Sequence, residues 1–143
     1  MITNTSNIRF TTADINFRLK NSKRIKEKIA VLFKKENFLL KRVQYVFCSD
    51  DFLLNINQKY LNHDYYTDII SFDLSEEKGV IGEIYISIDR VKENAQDFNV
   101  SFETELQRVI FHGALHLCGF KDKTEKQAEV MRRKEEEYIN LEL

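Results

Sequence analysis

Val109-Ile-Phe-His-Gly-Ala-Leu-His-Leu-Cys-Gly-Phe120 is the most apolar run of the chain, and it carries two histidines four residues apart. Ser101, with Glu103 and Glu105 close behind, is composed like a helix start: a capping hydroxyl, then acids in the first turn. From Val109 onward the helix is apolar all round, so it should run through the centre of the domain. Gly119 ends it, because glycine takes the left-handed conformation of a helix stop without steric cost. On such a helix His112 and His116 project from one side, separated by about 6 Å along the axis. Asp122 arrives just past the turn. Two imidazoles and a carboxylate are three ligands for one divalent ion, and they leave a coordination position for water, the arrangement of catalytic rather than structural zinc.

A lone histidine on an apolar helix is more often a core residue bonded to backbone, and an acid after a helix is commonly just solvated. The joint pattern His-x3-His-x2-Gly-x2-Asp argues against both, since the glycine stands where the chain must turn back to deliver the carboxylate. The spacing is that of the zinc peptidases, HExxHxxGxx[HD], with one residue changed. There, the residue after the first histidine is the glutamate that acts as general base. Here it is Gly113, and the segment Gly-Ala-Leu between the histidines is inert. Peptidase chemistry by that route is disfavoured. An ion that activates water, or stabilises charge on a phosphoryl oxygen, can instead cleave a phosphodiester.

On either side of this helix two periodicities alternate. Ile8–Thr11 reads as a short strand, and Ser22 as the cap of a helix with Ile25, Ile29, Leu32 and Phe33 on one face. Val43, Tyr45 and Phe47 alternate as a strand. Ser49 opens a helix carrying Leu53, Ile56 and Tyr60, and a polar loop then leads into a strand at Thr67–Asp73. Ile84, Ile86 and Ile88 mark another strand, Asp89 caps a helix to Phe98, and Thr124-Glu-Lys-Gln127 fits a capping box for the last helix. Strands interspersed with helices, too few for a doubly wound sheet, indicate an α+β or α/β layer structure. The central helix should bury both histidines against the sheet, with Asp122 and the Thr67–Phe72 strand approaching the metal.

At 143 residues, 43% hydrophobic and 31% charged, the chain is a single globular domain over 1–143 rather than a disordered segment. Its start is polar and uncharged, without a signal-peptide pattern, and no apolar span is long enough for a membrane. A cytoplasmic protein is expected, with Cys48 and Cys118 packed and reduced. The net charge of −1 is unevenly spread: residues 18–42 hold ten Lys or Arg against Glu27 and Glu36, whereas residues 64–97 hold nine acids against three bases. The basic stripe is either a phosphate-attracting surface or an ordinary solvated helix face.

The segment His112-Gly-Ala-Leu-His-Leu-Cys-Gly-Phe-Lys-Asp122 resembles the signature HGxLHLxGYDH of the YbeY family of bacterial metal-dependent endoribonucleases. Asn57-Gln-Lys-Tyr-Leu-Asn-His-Asp-Tyr-Tyr-Thr-Asp-Ile-Ile-Ser-Phe72 is similar to the family's second block, which ends in TDVLSF. Gly82–Ser87 resembles its GDIxIS strand, and Asn94–Phe102 its NAxxxGxSF stretch. The resemblance implies an endonuclease for single-stranded RNA, acting in ribosomal RNA maturation and ribosome quality control on rRNA or ribosomal particles, with one zinc ion as cofactor. It also implies a mixed sheet of about four strands wrapped by helices.

Three positions depart from that pattern. Asp122 stands where the family has its third metal-binding histidine, and Lys121 where it has an acid. Aspartate fits a zinc site but makes it more negative, which relaxes the choice of divalent metal. Leu61 replaces an arginine suited to clamp phosphate, so RNA must be held by other groups: Lys59, His63, Lys121, Lys123 or the helix from Lys23. Thr67, Asp68 and Ser71 match the family's cleft block. Asp68 alone among them can take a proton directly, which makes it the candidate base, although a turn or strand-edge hydrogen bond is the plainer role for Asp68 and Thr67. Thr67, Ser71 and Lys121 are candidate substrate contacts, and Tyr85 is a candidate for stacking on a base. Competing with the nuclease are a non-catalytic ribosome-assembly factor, whose metal only ties Asp122 to the last helix, and a zinc peptidase.

Overall fold

A computed structural model describes residues 4–143 of the chain; the first three residues, with which the polar stretch read above for a signal-peptide pattern begins, lie outside the described residues. The elements are β1 (Ile8–Thr12), α1 (Ser22–Lys35), β2 (Leu40–Cys48), α2 (Asp50–Leu61), β3 (Ile69–Asp73), β4 (Val80–Ser87), α3 (Ile88–Asp97), α4 (Phe102–Leu117) and α5 (Glu125–Ile139). The sheet has the order β1-β2-β4-β3. β1 and β2, and β2 and β4, pair in parallel, while β3 pairs antiparallel with β4 as an edge strand. The architecture is thus α+β with a mixed four-stranded sheet, as the resemblance implies.

The sheet is covered on both faces. Val43, Tyr45 and Phe47 of β2 and Ile84 and Ile86 of β4 join α1, α4 and α5 in the main core. On the other face, Cys48, Leu53 and Ile70 form a smaller cluster under α2, with Phe52, Phe72 and Tyr85 packed on it. Tyr85 is committed to that layer and bonds Glu83 through its hydroxyl, so it is not a free stacking surface. α4 lies against the main face, and the fully buried Tyr45 hydroxyl donates to its Ile110 carbonyl at 2.8 Å.

The caps follow local chemistry. Ser49, Ser101 and Thr124 accept from backbone N–H groups at the starts of α2, α4 and α5, and Gln127 completes the capping box. Two expected caps differ. Asn21, in a left-handed conformation without a side-chain bond, precedes α1, so Ser22 is its first residue. Ser87, rather than Asp89, caps α3 by accepting from Arg90 N at 3.1 Å. The alternation that suggested a strand through Ile88 therefore ends one residue earlier, and β3 begins at Ile69 rather than Thr67.

The histidines are not pressed against the sheet. Gly113 makes that contact: a Cβ there would sit 2.9 Å from Ile69 Cδ1 and 3.0 Å from Ile84 Cδ1. His112 and His116 are half-buried and look past the β3 edge into a cleft.

Candidate metal centre

The end of α4 builds the site. Gly119, at φ 90°, sends its N–H to the His116 carbonyl at 3.0 Å, and Phe120 N–H reaches the Leu115 carbonyl at 3.1 Å. These are the two bonds of a Schellman stop. The turn aims the Phe120 carbonyl back at His116 Nδ1, 2.8 Å away. Two residues later it presents Asp122 to both imidazoles.

His112 Nε2 and His116 Nε2 lie 2.9 Å apart, and Asp122 Oδ2 is 3.3 Å from the first and 3.6 Å from the second. Ligand atoms bound to one tetrahedral ion at 2.0–2.1 Å stand about 3.3 Å from each other. The triangle fits one divalent ion, and the nitrogen and oxygen donors suit zinc without restricting the site to it. Among the described residues this is the group of His, Cys, Asp or Glu side chains placed to hold a metal. Cys118, two residues after His116, is packed in the main core and is not part of this group.

The other ring nitrogens settle the tautomers. His116 Nδ1–H donates to the Phe120 carbonyl, and His112 Nδ1–H to Glu135 Oε2 on α5 at 2.5 Å. Each Nε2 is thereby left with its lone pair toward the triangle. Burial, and then the neighbouring His112, hold the His116 pKa below its ordinary value, against the opposing pull of Asp122 and the Phe120 carbonyl. A neutral imidazole is the form that ligates a metal.

Glu135 is only 3% exposed and sits in a buried charge network. Arg108, one turn before His112, bonds Glu105 at 2.9 and 2.6 Å and reaches Glu135 and Asp68 at 3.5 Å each. Burial works to lower the Arg108 pKa, but the three carboxylates outweigh it and raise it. Asp68 Oδ2 also accepts from Asn94 Nδ2 at 3.3 Å. Glu135, Arg108 and Asn94 were missed from sequence, where Glu135 is one acid in the charged run Lys134–Glu137.

Thr67, Asp68 and Ser71 line the same cleft, of about 610 Å³, as His112, His116 and Asp122. Thr67 Oγ1 is turned to the Ile69 carbonyl at 3.4 Å. Ser71 Oγ is buried and, among the described residues, has no hydrogen-bond partner. Lys121 is exposed and lines a shallow hollow with Phe120 and Thr124 instead of the cleft. The basic stripe also lies elsewhere: Lys28 is buried and donates to the Ile139 carbonyl at 2.7 Å, and Lys35 pairs with Glu137 at 2.9 Å. Leu61 is on the cleft wall.

Fold and site together define a single-domain α+β protein with a candidate centre for one divalent ion. The family model described as endoribonuclease YbeY matches residues 7–141. Endoribonuclease YbeY of Cytophaga hutchinsonii is 48% identical over 133 residues, covering 92% of this chain and 93% of that protein. The protein of the same name from Christiangramia forsetii is 56% identical over 106 residues, 74% of each chain. A Thermotoga maritima protein known from a solution structure aligns with a TM-score of 0.63 and 34% identity, over 92% of this chain and 86% of that one. The chain belongs to the family of YbeY endoribonucleases, nucleases of the hydrolase class.

Proposed function

We propose that this protein is a zinc-dependent endoribonuclease that hydrolyses phosphodiester bonds of single-stranded RNA, in ribosomal RNA maturation and ribosome quality control, in the cytoplasm. The observation that carries the reading is the triangle of His112, His116 and Asp122, with both imidazoles oriented through Nδ1 and the triangle open to a cleft. The names of the relatives supply the reaction class. No helix is long and apolar enough to cross a membrane among the described residues.

A divalent ion supplies Lewis-acid stabilisation of phosphoryl charge and acidifies water. The side chains do the rest. Glu135 holds His112 in its ligating tautomer, and the Phe120 carbonyl does the same for His116. Asp68 is the proposed base: Asn94 and Arg108 fix its Oδ2 and leave the other oxygen to take a proton from the attacking water. Thr67 and Ser71, which line the cleft on the β3 side, are the proposed substrate contacts within it, and Lys121, in a separate hollow, is the proposed contact to a phosphate outside the cleft.

The test is cleavage of a single-stranded ribosomal RNA fragment by wild type and by His116→Ala, each zinc-loaded or chelator-treated. Zinc-loaded wild type alone should cut. Cutting that survives both chelation and His116→Ala refutes the reading, and metal binding without any cutting favours a non-catalytic assembly factor.

A further inference from the structure

Apart from the ion proposed for the triangle, the cleft offers no side-chain cation to grip a polyanion by its phosphates. Its wall carries Asp68, Asp73 and Asp122, with neither lysine nor arginine among the described residues, and Leu61 adds apolar surface. Two aromatic rings stand on the same wall. His63 and Tyr65 are stacked with ring centroids 5.1 Å apart and planes 21° from parallel, and Tyr65 Oη shares a 3.0 Å hydrogen bond with His63 Nδ1. Tyr65 is nevertheless 56% exposed.

The backbone beneath these rings is pinned from inside. Asn57, 2% exposed, donates through Nδ2 to the Tyr65 carbonyl at 2.8 Å, while its own carbonyl accepts from His63 N at 3.1 Å. Asn62, at φ 55°, turns the chain out of α2, and Gln58 bonds Asp64 at 2.5 Å. A buried amide spends both its side chain and its carbonyl on one loop, and the loop displays two rings to solvent beside the metal ligands. Preorganised rings of this kind bind a π-face at low ordering cost.

We propose that His63 and Tyr65 form a stacking platform for one base of the RNA, gripping substrate by a base where a guanidinium would grip phosphate. The proposal rests on the nuclease reading of the site. Stacking tolerates any base and requires an unpaired one, which selects single strands over duplex.

Binding of a fluorescent single-stranded RNA oligomer to the chelator-treated full chain tests it without cleavage. Tyr65→Ala should weaken binding about tenfold or more, and Tyr65→Phe by less than about twofold. One abasic position, walked along the oligomer, should weaken wild type by the same factor and cost Tyr65→Ala nothing further. Since Tyr65 is exposed, melting temperatures should agree across the variants and exclude unfolding as the cause. Wild type that does not bind, Tyr65→Ala binding like wild type, or abasic and alanine losses that multiply would each overturn the platform. RNA bound through Tyr65 but never cut when zinc is restored would overturn the nuclease reading and leave the platform standing.

Discussion

Replacing Glu135 with glutamine separates orientation of a ligand from stability of the fold. The Glu135 carboxylate lies 2.5 Å from His112 Nδ1 and is almost wholly buried. Glutamine keeps the volume and one oxygen but loses the charge that strengthens the bond and raises imidazole basicity. Carboxylates in this role are worth about 10–100-fold in metal affinity, or about 1.4–2.8 kcal/mol. The fold should lose less. Arg108 keeps its two short bonds to Glu105, at 2.9 and 2.6 Å, and gives up only the 3.5 Å leg to Glu135. The stability loss should therefore sit near the low end of the 1–3 kcal/mol typical of a removed buried partner, about 1 kcal/mol. Zinc competition against a chromogenic chelator reads the first quantity, and thermal melting of chelated protein reads the second. Wild-type zinc affinity in Glu135→Gln would refute the claim that this carboxylate sets the His112 tautomer.

Two further outcomes concern the Gly119 turn and His116. Gly119→Ala forces a side chain into φ 90°, which should cost about 1–2 kcal/mol; because that turn also aims the Phe120 carbonyl at His116, zinc affinity should fall with the melting temperature. Wild-type behaviour on both measures would remove the turn from the account of the site. The second concerns pH. The folded-state pKa of His116 is depressed below its unfolded value, chiefly by burial. Its contribution to the stability of chelated protein is therefore present above about pH 6.5 and is lost as pH falls through the folded value. Melting of chelated wild type and His116→Asn from neutral to mildly acid pH should show the steeper decline in wild type, and parallel curves would contradict the assignment.

The candidate metal ligands were legible because they are local. A four-residue spacing, a glycine stop and an acid three residues after it all lie within residues 112–122, where the helix and its stop decide which side chains meet. The groups that orient them were not. Glu135 reaches His112 only because α5 packs back along α4, and in sequence it is indistinguishable from Glu136 or Glu137 beside it. Asn94 reads as a helix-surface amide until Asp68 arrives from β3. The cap of α3 failed for a related reason: Ser87 and Asp89 are both good caps, and the choice falls to Ser87 because Asp89 accepts instead from the Asp50 N–H at the start of α2. Tyr85 looked available because alternation tells which face a residue takes, not that α2 covers that face.

Gly113 carries the argument against peptidase chemistry further than the loss of a carboxylate does. At that position α4 comes so close to the sheet that even a methyl group would press on Ile69 and Ile84. A glutamate there would be driven toward apolar side chains, away from the cleft that His112 and His116 face. A side chain at position 113 would start out toward Ile69 and Ile84 rather than the cleft, so this neighbour of the first histidine is not placed to serve as a base in this packing. A proton acceptor for hydrolysis must then come from another element, and the element passing the open side of the triangle is β3. Asp68 immediately precedes that strand, its carbonyl tied to Ser87 N at 2.9 Å and its carboxylate to Arg108 and Asn94. The glycine that brings helix and sheet together is thus also the reason to look for the base on β3.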